Sequence, residues 1–129
     1  MKPIRVVLVD DSKVFMDALL SCFAQWEGIE IAGCATSGAA GLALIESTGP
    51  DLVLMDIFMP SMNGVEASKR IARSAGLPKV VLMTSLEAPG VQKFALQGEA
   101  DAFIYKQDLY AELEQRIASW FRPLAQGAA

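Results

Sequence analysis

The sequence has 129 residues, and with 53% hydrophobic content it suits one globular domain with a single sizeable core rather than a disordered chain. A formal net charge of −4 argues against a nucleic-acid-binding surface, which requires clustered Lys and Arg. Since the chain has no histidine, His-dependent triads and His-rich zinc sites are excluded, and any metal requires mainly oxygen ligands, as Mg²⁺, Mn²⁺ or Ca²⁺ do.

Five short apolar runs recur along the chain, and each predicts a β-strand. They are Ile4–Val9, Ile29–Ala35, Leu52–Ile57, Val80–Met83 and Ala102–Tyr105. Several of these runs are nearly continuous in apolar residues rather than alternating. Such runs are typical of central parallel strands that are covered on both faces.

The segments that follow these runs have the apolar spacing of helices. One stripe lies within Val14–Phe23 and another near the C-terminus. Their members are Phe15, Met16, Leu19, Leu20 and Phe23 in the first stripe, and Leu109, Leu113, Ile117 and Trp120 in the second. Both stripes are interpreted as helix faces that pack on the core.

Capping residues divide the chain at the same places. Helix starts are indicated by Asp11-Ser12 and Ser37-Gly38, and helix ends by Gly49-Pro50 for the second helix and Gly76 with Pro78 for the third. Strands that alternate five times with helices predict an α/β domain. In such a domain a parallel sheet has right-handed crossovers and helices on both faces.

Membrane insertion and export are not indicated. The uncharged apolar runs are far shorter than the roughly 18 residues that span a bilayer, and the N-terminus has no signal-peptide pattern. Cys22 and Cys34 are too few for a disulfide framework, and we expect both to be ordinary buried thiols. The sequence therefore favours a soluble, cytoplasmic protein.

Polar residues collect where the predicted strands end. These are Asp10 and Asp11 after the first strand, Asp56 in the third, Thr84 and Ser85 after the fourth, and Lys106 after the fifth. Ligands of an open α/β sheet bind beyond the carboxyl ends of its strands. The sequence therefore predicts that three carboxylates, a hydroxyl and an ammonium meet at one edge of the sheet.

This set of groups has the chemistry of a phosphoryl acceptor. Three carboxylates in one site repel one another, and a divalent cation such as Mg²⁺ removes that conflict. Asp56 is then the predicted carboxylate nucleophile, with Lys106 neutralising the phosphoryl oxygens and Thr84 donating a hydrogen bond to one of them. The predicted metal ligands are Asp10, Asp11 and Asp56.

Each residue also has a simpler interpretation on its own. Asp11 is suited to cap a helix, as are Thr84 and Ser85, and a lysine at a strand end is most often a solvated charge. Asp56 is harder to explain in this way, because an unpaired carboxylate at the end of a buried strand is costly. The joint placement of the residues is what favours a site.

Residues 1–121 resemble the receiver domain of two-component response regulators, and residues 122–129 are interpreted as a C-terminal tail or the start of a linker. The matching motifs are Asp10-Asp11-Ser12 after the first strand, Asp56 with Met59-Pro60 and Gly64, Thr84-Ser85, and Tyr105-Lys106. The resemblance implies a flavodoxin-like doubly wound sheet with strand order 2-1-3-4-5. It is closest to receivers that precede helix-turn-helix output domains.

The resemblance also implies a function. A sensor histidine kinase or a histidine phosphotransfer protein would supply the phosphoryl group, in a Mg²⁺-dependent reaction on Asp56. A switch would follow in which Thr84 moves toward the phosphoryl group and Tyr105 turns inward, so that the surface of the fourth helix, fifth strand and fifth helix changes its preference for a downstream protein or output domain. A homodimer that forms on phosphorylation is consistent with this behaviour. The domain would catalyse its own phosphorylation and dephosphorylation without turning over a separate metabolite.

Two positions depart from the family pattern. Gln107 follows Lys106 where the family commonly has a proline, often after a cis peptide bond, which costs roughly 2.5–4 kcal/mol before other residues. Phe58 is large and apolar where smaller or polar residues are frequent. We hypothesise that Phe58 shields the acyl phosphate from water, and we place it with Ser85 at the access to the phosphoryl group.

Two other functions remain as alternatives. The first is a degenerate receiver that binds partners without phosphorylation, although an intact set of site residues argues against it. The second is a flavin-binding electron carrier on the same fold, for which Gly38 to Gly41 is weak support because it follows the second strand. A colourless preparation would exclude the flavin.

Overall fold

The computed structural model describes residues 2–124. Its strands are β1 (Ile4–Val9), β2 (Ile29–Ala35), β3 (Leu52–Asp56), β4 (Lys79–Thr84) and β5 (Ala102–Tyr105). Its helices are α1 (Lys13–Phe23), α2 (Gly38–Thr48), α3 (Gly64–Lys69), α4 (Val91–Ala95) and α5 (Leu109–Trp120), with a 3₁₀ turn at Lys106–Asp108. The alternation of strands and helices that the apolar runs predict is confirmed.

The strands form one parallel sheet in the order β2-β1-β3-β4-β5, as the flavodoxin-like topology requires. From β1 the chain passes first to β2 on one side and then to β3 on the other. The strand order therefore reverses at β1 and β3, and in this class of fold the crevice beyond their carboxyl ends is where ligands bind.

Two apolar cores cover the two faces of the sheet. The first contains Ile4, Val6 and Leu8 of β1 together with the buried sides of α1 and α5. The second contains Val7 and Val9 of the same strand with residues of α2, α3 and α4. Side chains alternate across a strand, so a strand that is covered on both faces reads as a continuous apolar run.

Several helix ends agree with the capping residues. The Ser12 hydroxyl accepts a hydrogen bond from the Phe15 amide at 3.2 Å, and the Ser37 hydroxyl accepts one from the Ala40 amide at 3.2 Å. Gly49 ends α2 in the left-handed conformation with a φ of 56°. The apolar stripes of α1 and α5 face the first core, as predicted.

The third and fourth helices differ from the sequence-based expectation. Gly76 and Pro78 do not end α3, which stops at Lys69, and α4 begins after Gly90 rather than at Thr84 or Ser85. After α3 the Arg73 guanidinium turns to Asp101 at 2.9 Å and to the Glu99 carbonyl. This long-range contact stabilises a nonhelical path for the chain.

The expectation for the cysteines is wrong. Cys22 is half-buried and Cys34 is exposed, and both are free thiols. Cys34 lies on β2, which is an edge strand with one uncovered side, so its apolar neighbours in sequence do not enclose it.

The ends of the described chain meet at one place. The Arg122 guanidinium donates a hydrogen bond to the Lys2 carbonyl at 2.5 Å, and Leu124 packs against the first core. Of the predicted tail at 122–129, residues 125–129 lie outside the described residues, as does Met1. Within residues 2–124, helices long and apolar enough to cross a membrane are absent.

Candidate functional site

Three carboxylates meet at the carboxyl ends of β1 and β3. Val9 pairs with Met55, so that Asp10, directly after β1, and Asp56, the last residue of β3, leave neighbouring strands side by side. One carboxylate oxygen from each of Asp10, Asp11 and Asp56 lies within 4.8 Å of the other two. Asp10 and Asp56 are buried whereas Asp11 is exposed, so the cluster opens to solvent on the side of Asp11.

Lys106 brings a positive charge into this cluster from the far edge of the sheet. Its side chain crosses the end of β4, and its ammonium lies 2.7 Å from Asp10 Oδ2 and 3.7 Å from Asp56 Oδ2. Only 11% of the lysine side chain is exposed. An ion pair that is this enclosed is screened much less by water than one on the surface.

The two oxygens of Asp10 have different surroundings. Oδ1 accepts a hydrogen bond from the Ser12 amide at 2.8 Å, which fixes the orientation of the carboxylate at the start of α1. Oδ2 is buried and accepts no hydrogen bond, although the Lys106 ammonium is close enough for an ion pair. The Asp10 carboxylate also lies close enough to those of Asp11 and Asp56 to hold a metal ion together with them.

Burial raises the pKa of Asp56 to about 6, and the nearby charges of Asp10 and Asp11 act in the same direction. Lys106 opposes them and lowers this pKa, as does the Phe58 amide at 3.4 Å from Asp56 Oδ1. Without a cation, the carboxylate of Asp56 is therefore costly to ionise. A divalent cation among the three carboxylates would favour the ionised form, and an all-oxygen donor set fits Mg²⁺.

Thr84 and Ser85 stand at the neighbouring strand end. Asp56 pairs with Met83, so Thr84 lies one residue further toward the carboxyl edge on β4. The Thr84 side chain is buried, and its hydroxyl accepts a hydrogen bond from the Leu86 amide at 3.1 Å. Ser85 is exposed. The hydroxyl proton of Thr84 thus remains available for an acceptor in the site.

The two aromatic residues singled out in the sequence contact different neighbours. Phe58 is 42% exposed and stacks on Phe94 of α4 with a centroid distance of 6.1 Å and an interplanar angle of 18°. Tyr105 is half-buried on β5 and meets the Phe103 ring edge to face at 4.9 Å. The Phe58–Phe94 contact connects the loop after Asp56 to α4, which the sequence pattern gives no means of predicting.

Gly64 is required by the close approach of two backbone segments. Its amide donates a hydrogen bond to the Ile57 carbonyl at 2.7 Å. A Cβ at this position would lie 2.3 Å from the Asp56 carbonyl oxygen, which is a severe clash. A glycine therefore allows the start of α3 to fold back against the residue that carries the candidate acceptor.

Gln107 stands where the family often has a proline. Lys106, Gln107 and Asp108 form the 3₁₀ turn before α5, and the Gln107 amide group donates a hydrogen bond to the Glu87 carboxylate in the loop after β4. The one cis peptide bond among residues 2–124 joins Leu77 to Pro78. The peptide bond between Lys106 and Gln107 is therefore trans.

One cleft among the described residues lies away from the acidic cluster. It has a volume of about 470 Å³ between α2 and the segment after α3, and its lining includes Ile45, Arg70 and Leu77 but none of the acidic cluster. The acidic cluster consists of three carboxylates and an ammonium, a polar set that suits a small ion and a phosphoryl group better than a bulky apolar cofactor.

Comparisons with known proteins agree with this geometry. Residues 6–118 match the family described as the response regulator receiver domain. The chain belongs to this family. It is 32% identical to the transcriptional regulatory protein LiaR of Bacillus subtilis over 114 residues, which cover 88% of this chain and 54% of LiaR.

Solved receiver structures have the same fold. The signal receiver domain of the response regulator NarL from Mycobacterium tuberculosis superposes with a TM-score of 0.79 at 30% identity, covering 92% of this chain and 96% of that one. CheY of Borrelia burgdorferi, in a complex with CheX, BeF₃ and Mg²⁺, superposes with a TM-score of 0.78 at 29% identity, covering 93% and 90%. The present receiver domain spans about half the length of the curated relatives it matches first.

The receiver fold thus brings together most of the residues that the sequence singled out. Asp10, Asp11, Asp56 and Lys106 form one cluster, and Thr84 stands at the adjacent strand end. Sequence reasoning missed Phe15, which it assigned to the core. Its ring lies 4.1 Å from the Lys106 ammonium, and helical spacing alone gives no sign of that contact.

Proposed function

We propose that this receiver domain accepts a phosphoryl group on Asp56, with Mg²⁺ bound by Asp10, Asp11 and Asp56. The observation that carries the proposal is the meeting of three carboxylates and one buried ammonium at the carboxyl edge of the sheet. When bound, Mg²⁺ supplies positive charge that offsets repulsion among the carboxylates and the transferred phosphoryl group.

The side chains of the domain have distinct roles in the transfer. A carboxylate oxygen of Asp56 attacks phosphorus in line and forms the new O–P bond, while the N–P bond to the donor histidine breaks. The imidazole nitrogen leaves with the electron pair of that bond and takes up a proton. Lys106 neutralises the phosphoryl oxygens, and Thr84 donates its hydroxyl proton to one of them.

The partner of the forward reaction is a sensor histidine kinase or a histidine phosphotransfer protein in the cytoplasm. LiaR is a transcriptional regulatory protein about twice as long as its matched segment. We therefore propose that the phosphorylated domain signals to an output domain outside this chain. Phosphorylation would draw Thr84 toward the phosphoryl group and free space for Tyr105, which is half-buried beside Phe103. The surface of α4, β5 and α5 would then change its preference for the output domain or for a second copy of the chain.

Intact-mass measurement tests the acceptor directly. The protein is incubated with a small acyl-phosphate donor, with Mg²⁺ or with a chelator, beside an Asp56→Asn variant. We expect one phosphoryl adduct that requires Mg²⁺ and is absent from the variant. An adduct of equal yield in Asp56→Asn would overturn the assignment of the acceptor.

A degenerate receiver predicts a different result. If phosphohistidine donors and acyl phosphates both leave the mass unchanged and calorimetry detects no Mg²⁺ binding, the acidic cluster is not a phosphorylation site. The domain would then bind its partners in one state only. The intact cluster, with the buried Asp10 carboxylate paired to Lys106, favours the phosphorylated receiver.

A further inference from the structure

We propose that Phe15 is a positioning residue that holds the Lys106 ammonium in the acceptor site through the face of its ring. The inference rests on the proposed function of Asp56, because it gives Phe15 a role in the same reaction. Lys106 Nζ lies over the Phe15 ring, 4.1 Å from its centroid. A cation at this distance is attracted by the negative face of an aromatic ring.

Two hydrogen bonds that begin at Asp10 fix the position of Phe15. Asp10 Oδ1 accepts a hydrogen bond from the Ser12 amide at 2.8 Å, and the Ser12 hydroxyl accepts one from the Phe15 amide at 3.2 Å. Helical side chains lean toward the N-terminal end of their helix, so the ring at the third position of α1 points back to the edge where Lys106 enters. Asp10 and the ring that faces its ion-pair partner are thus parts of one hydrogen-bonded turn.

Lys106 needs such a contact because its ion pairs change during the reaction. In this structure its closest partner is Asp10, at 2.7 Å, whereas Asp56 is 3.7 Å away. Asp10 is also a proposed metal ligand, and its oxygen cannot serve a cation and the ammonium equally. The ring of Phe15 remains beside the ammonium in both situations and keeps this long, flexible side chain from swinging out to solvent.

A purely structural role for Phe15 is the competing explanation. The residue is half-buried and packs against the first core, like its neighbours in the apolar stripe of α1. Leucine would satisfy that role nearly as well as phenylalanine, since both fill a similar apolar space. Only the ring face distinguishes the two, so the comparison of Phe15→Leu with Phe15→Tyr separates packing from cation attraction.

NMR spectroscopy of the lysine side chains detects the contact between Phe15 and Lys106 without any phosphorylation. Protons above an aromatic ring shift upfield, so we expect the Lys106 ε-methylene signal upfield of those of Lys13, Lys69 and Lys93, with its assignment given by loss in Lys106→Met. The shift should persist in Phe15→Tyr and disappear in Phe15→Leu. A Lys106 signal that is unchanged in Phe15→Leu would overturn the proposal.

The rate of phosphorylation measures how much the contact between Phe15 and Lys106 contributes to the reaction. At saturating acyl phosphate and Mg²⁺, we expect Phe15→Leu to be modified roughly tenfold more slowly than the parent, whereas Phe15→Tyr retains the parental rate. The affinity for Mg²⁺, measured by calorimetry, should be unchanged in both variants because Phe15 offers no metal ligand. A loss of rate in Phe15→Tyr as large as that in Phe15→Leu would contradict the role of the ring face.

Phe23→Leu is the matched control on the same helix. Phe23 belongs to the same core, but its ring lies against Trp26 at 5.5 Å. We expect it to lower stability without slowing phosphorylation, and an equal loss of rate would assign the effect of Phe15→Leu to packing. Should the parent itself accept no phosphoryl group, the proposed function fails, while the NMR comparison still decides whether Phe15 holds Lys106.

Discussion

Asp56 combines burial with negative charge, which is an unfavourable combination for stability. It is 6% exposed and lies close to two other carboxylates, with one ammonium 3.7 Å away. Its pKa of about 6 in the folded state, above its ordinary value of 3.8, means that folding favours the protonated form. The folded state therefore loses stability as the pH rises from about 4 through 6, where the unfolded chain is already ionised.

Asp56→Asn removes this charge while keeping nearly the same shape. In Mg²⁺-free buffer at pH 7, we expect the variant to have a larger free energy of unfolding than the parent, by at most about 3 kcal/mol. The difference should shrink toward pH 4, where the aspartate is protonated in the folded protein. Urea unfolding with a chelator present measures it, and a variant that is less stable than the parent at pH 7 would contradict the electrostatic explanation.

Phe58 poses a different question, which concerns the lifetime of the acyl phosphate. Its amide lies 3.4 Å from Asp56 Oδ1 and its ring stacks on Phe94, and we hypothesise that the ring hinders the approach of water to the phosphoryl group. We expect Phe58→Asn to lose phosphate several-fold faster than the parent after the donor is removed. Phe58→Leu, which keeps an apolar side chain, is the control. Equal rates of loss in the parent and Phe58→Asn would refute the shielding hypothesis.

At the scale of the elements, the site depends on how closely α3 approaches the end of β3. The added Cβ of Gly64→Ala would lie 2.3 Å from the Asp56 carbonyl oxygen, which is backbone and has little freedom to move. We expect this substitution to cost about 1–3 kcal/mol of stability. It should also slow phosphorylation, because the acceptor residue itself has to shift. Urea unfolding and the rate of adduct formation measure the two effects.

Gly33→Ala is the matched control for Gly64→Ala. Its Cβ would lie 2.8 Å from the nearest atom of Leu44, but that atom is the end of a flexible side chain that can turn away. Gly33 lies on β2, outside the acidic cluster, so phosphorylation should proceed at the parental rate. If both substitutions slow the reaction equally, the effect belongs to general stability and not to the backbone at Asp56.

The elements also show which parts of the fold can be predicted from the local sequence. Strands β1, β2 and β5 begin and end at the predicted residues, because each is a short apolar run that polar residues, Gly or Pro bound on both sides. The end of α3 was not predictable in this way. Beyond that end, the chain is held by Arg73, whose partner Asp101 lies 28 residues further along the chain. A capping signal near Gly76 has no information about that contact.

The candidate site likewise has parts that the sequence predicts and parts that it does not. The meeting of Asp10, Asp56 and Lys106 follows from the rule that parallel strands end at one edge, which needs only the order of the elements. The ring of Phe15 over Lys106 depends on side-chain direction at the start of α1, and the spacing of the apolar stripe is equally consistent with a core residue. Sequence patterns thus place residues on an edge, whereas the contacts between them require three-dimensional packing.

At the scale of the whole molecule, the acidic site stands where two cores share one sheet. Val9, next to Asp10, belongs to the second core, whereas Leu8 belongs to the first, and Met55 and Leu54 of β3 divide in the same way. A ligand at this edge contacts strands that both cores require. Since a domain of this size usually unfolds as one unit, binding at the site should be visible in global unfolding.

Mg²⁺ should therefore stabilise the entire domain. At a concentration one hundred times the dissociation constant, a ligand that binds only the folded state adds about 2.7 kcal/mol. We expect the unfolding midpoint of the parent to rise with MgCl₂ beyond the effect of NaCl at equal ionic strength, which accounts for screening.

Asp11→Asn should abolish this rise, because Asp11 is an exposed member of the cluster whose replacement leaves the core intact. Asp17→Asn, an exposed carboxylate on α1 outside the cluster, should retain it. If Asp11→Asn and Asp17→Asn respond alike, the rise in the parent reflects general ion binding, and the three carboxylates do not form a metal site.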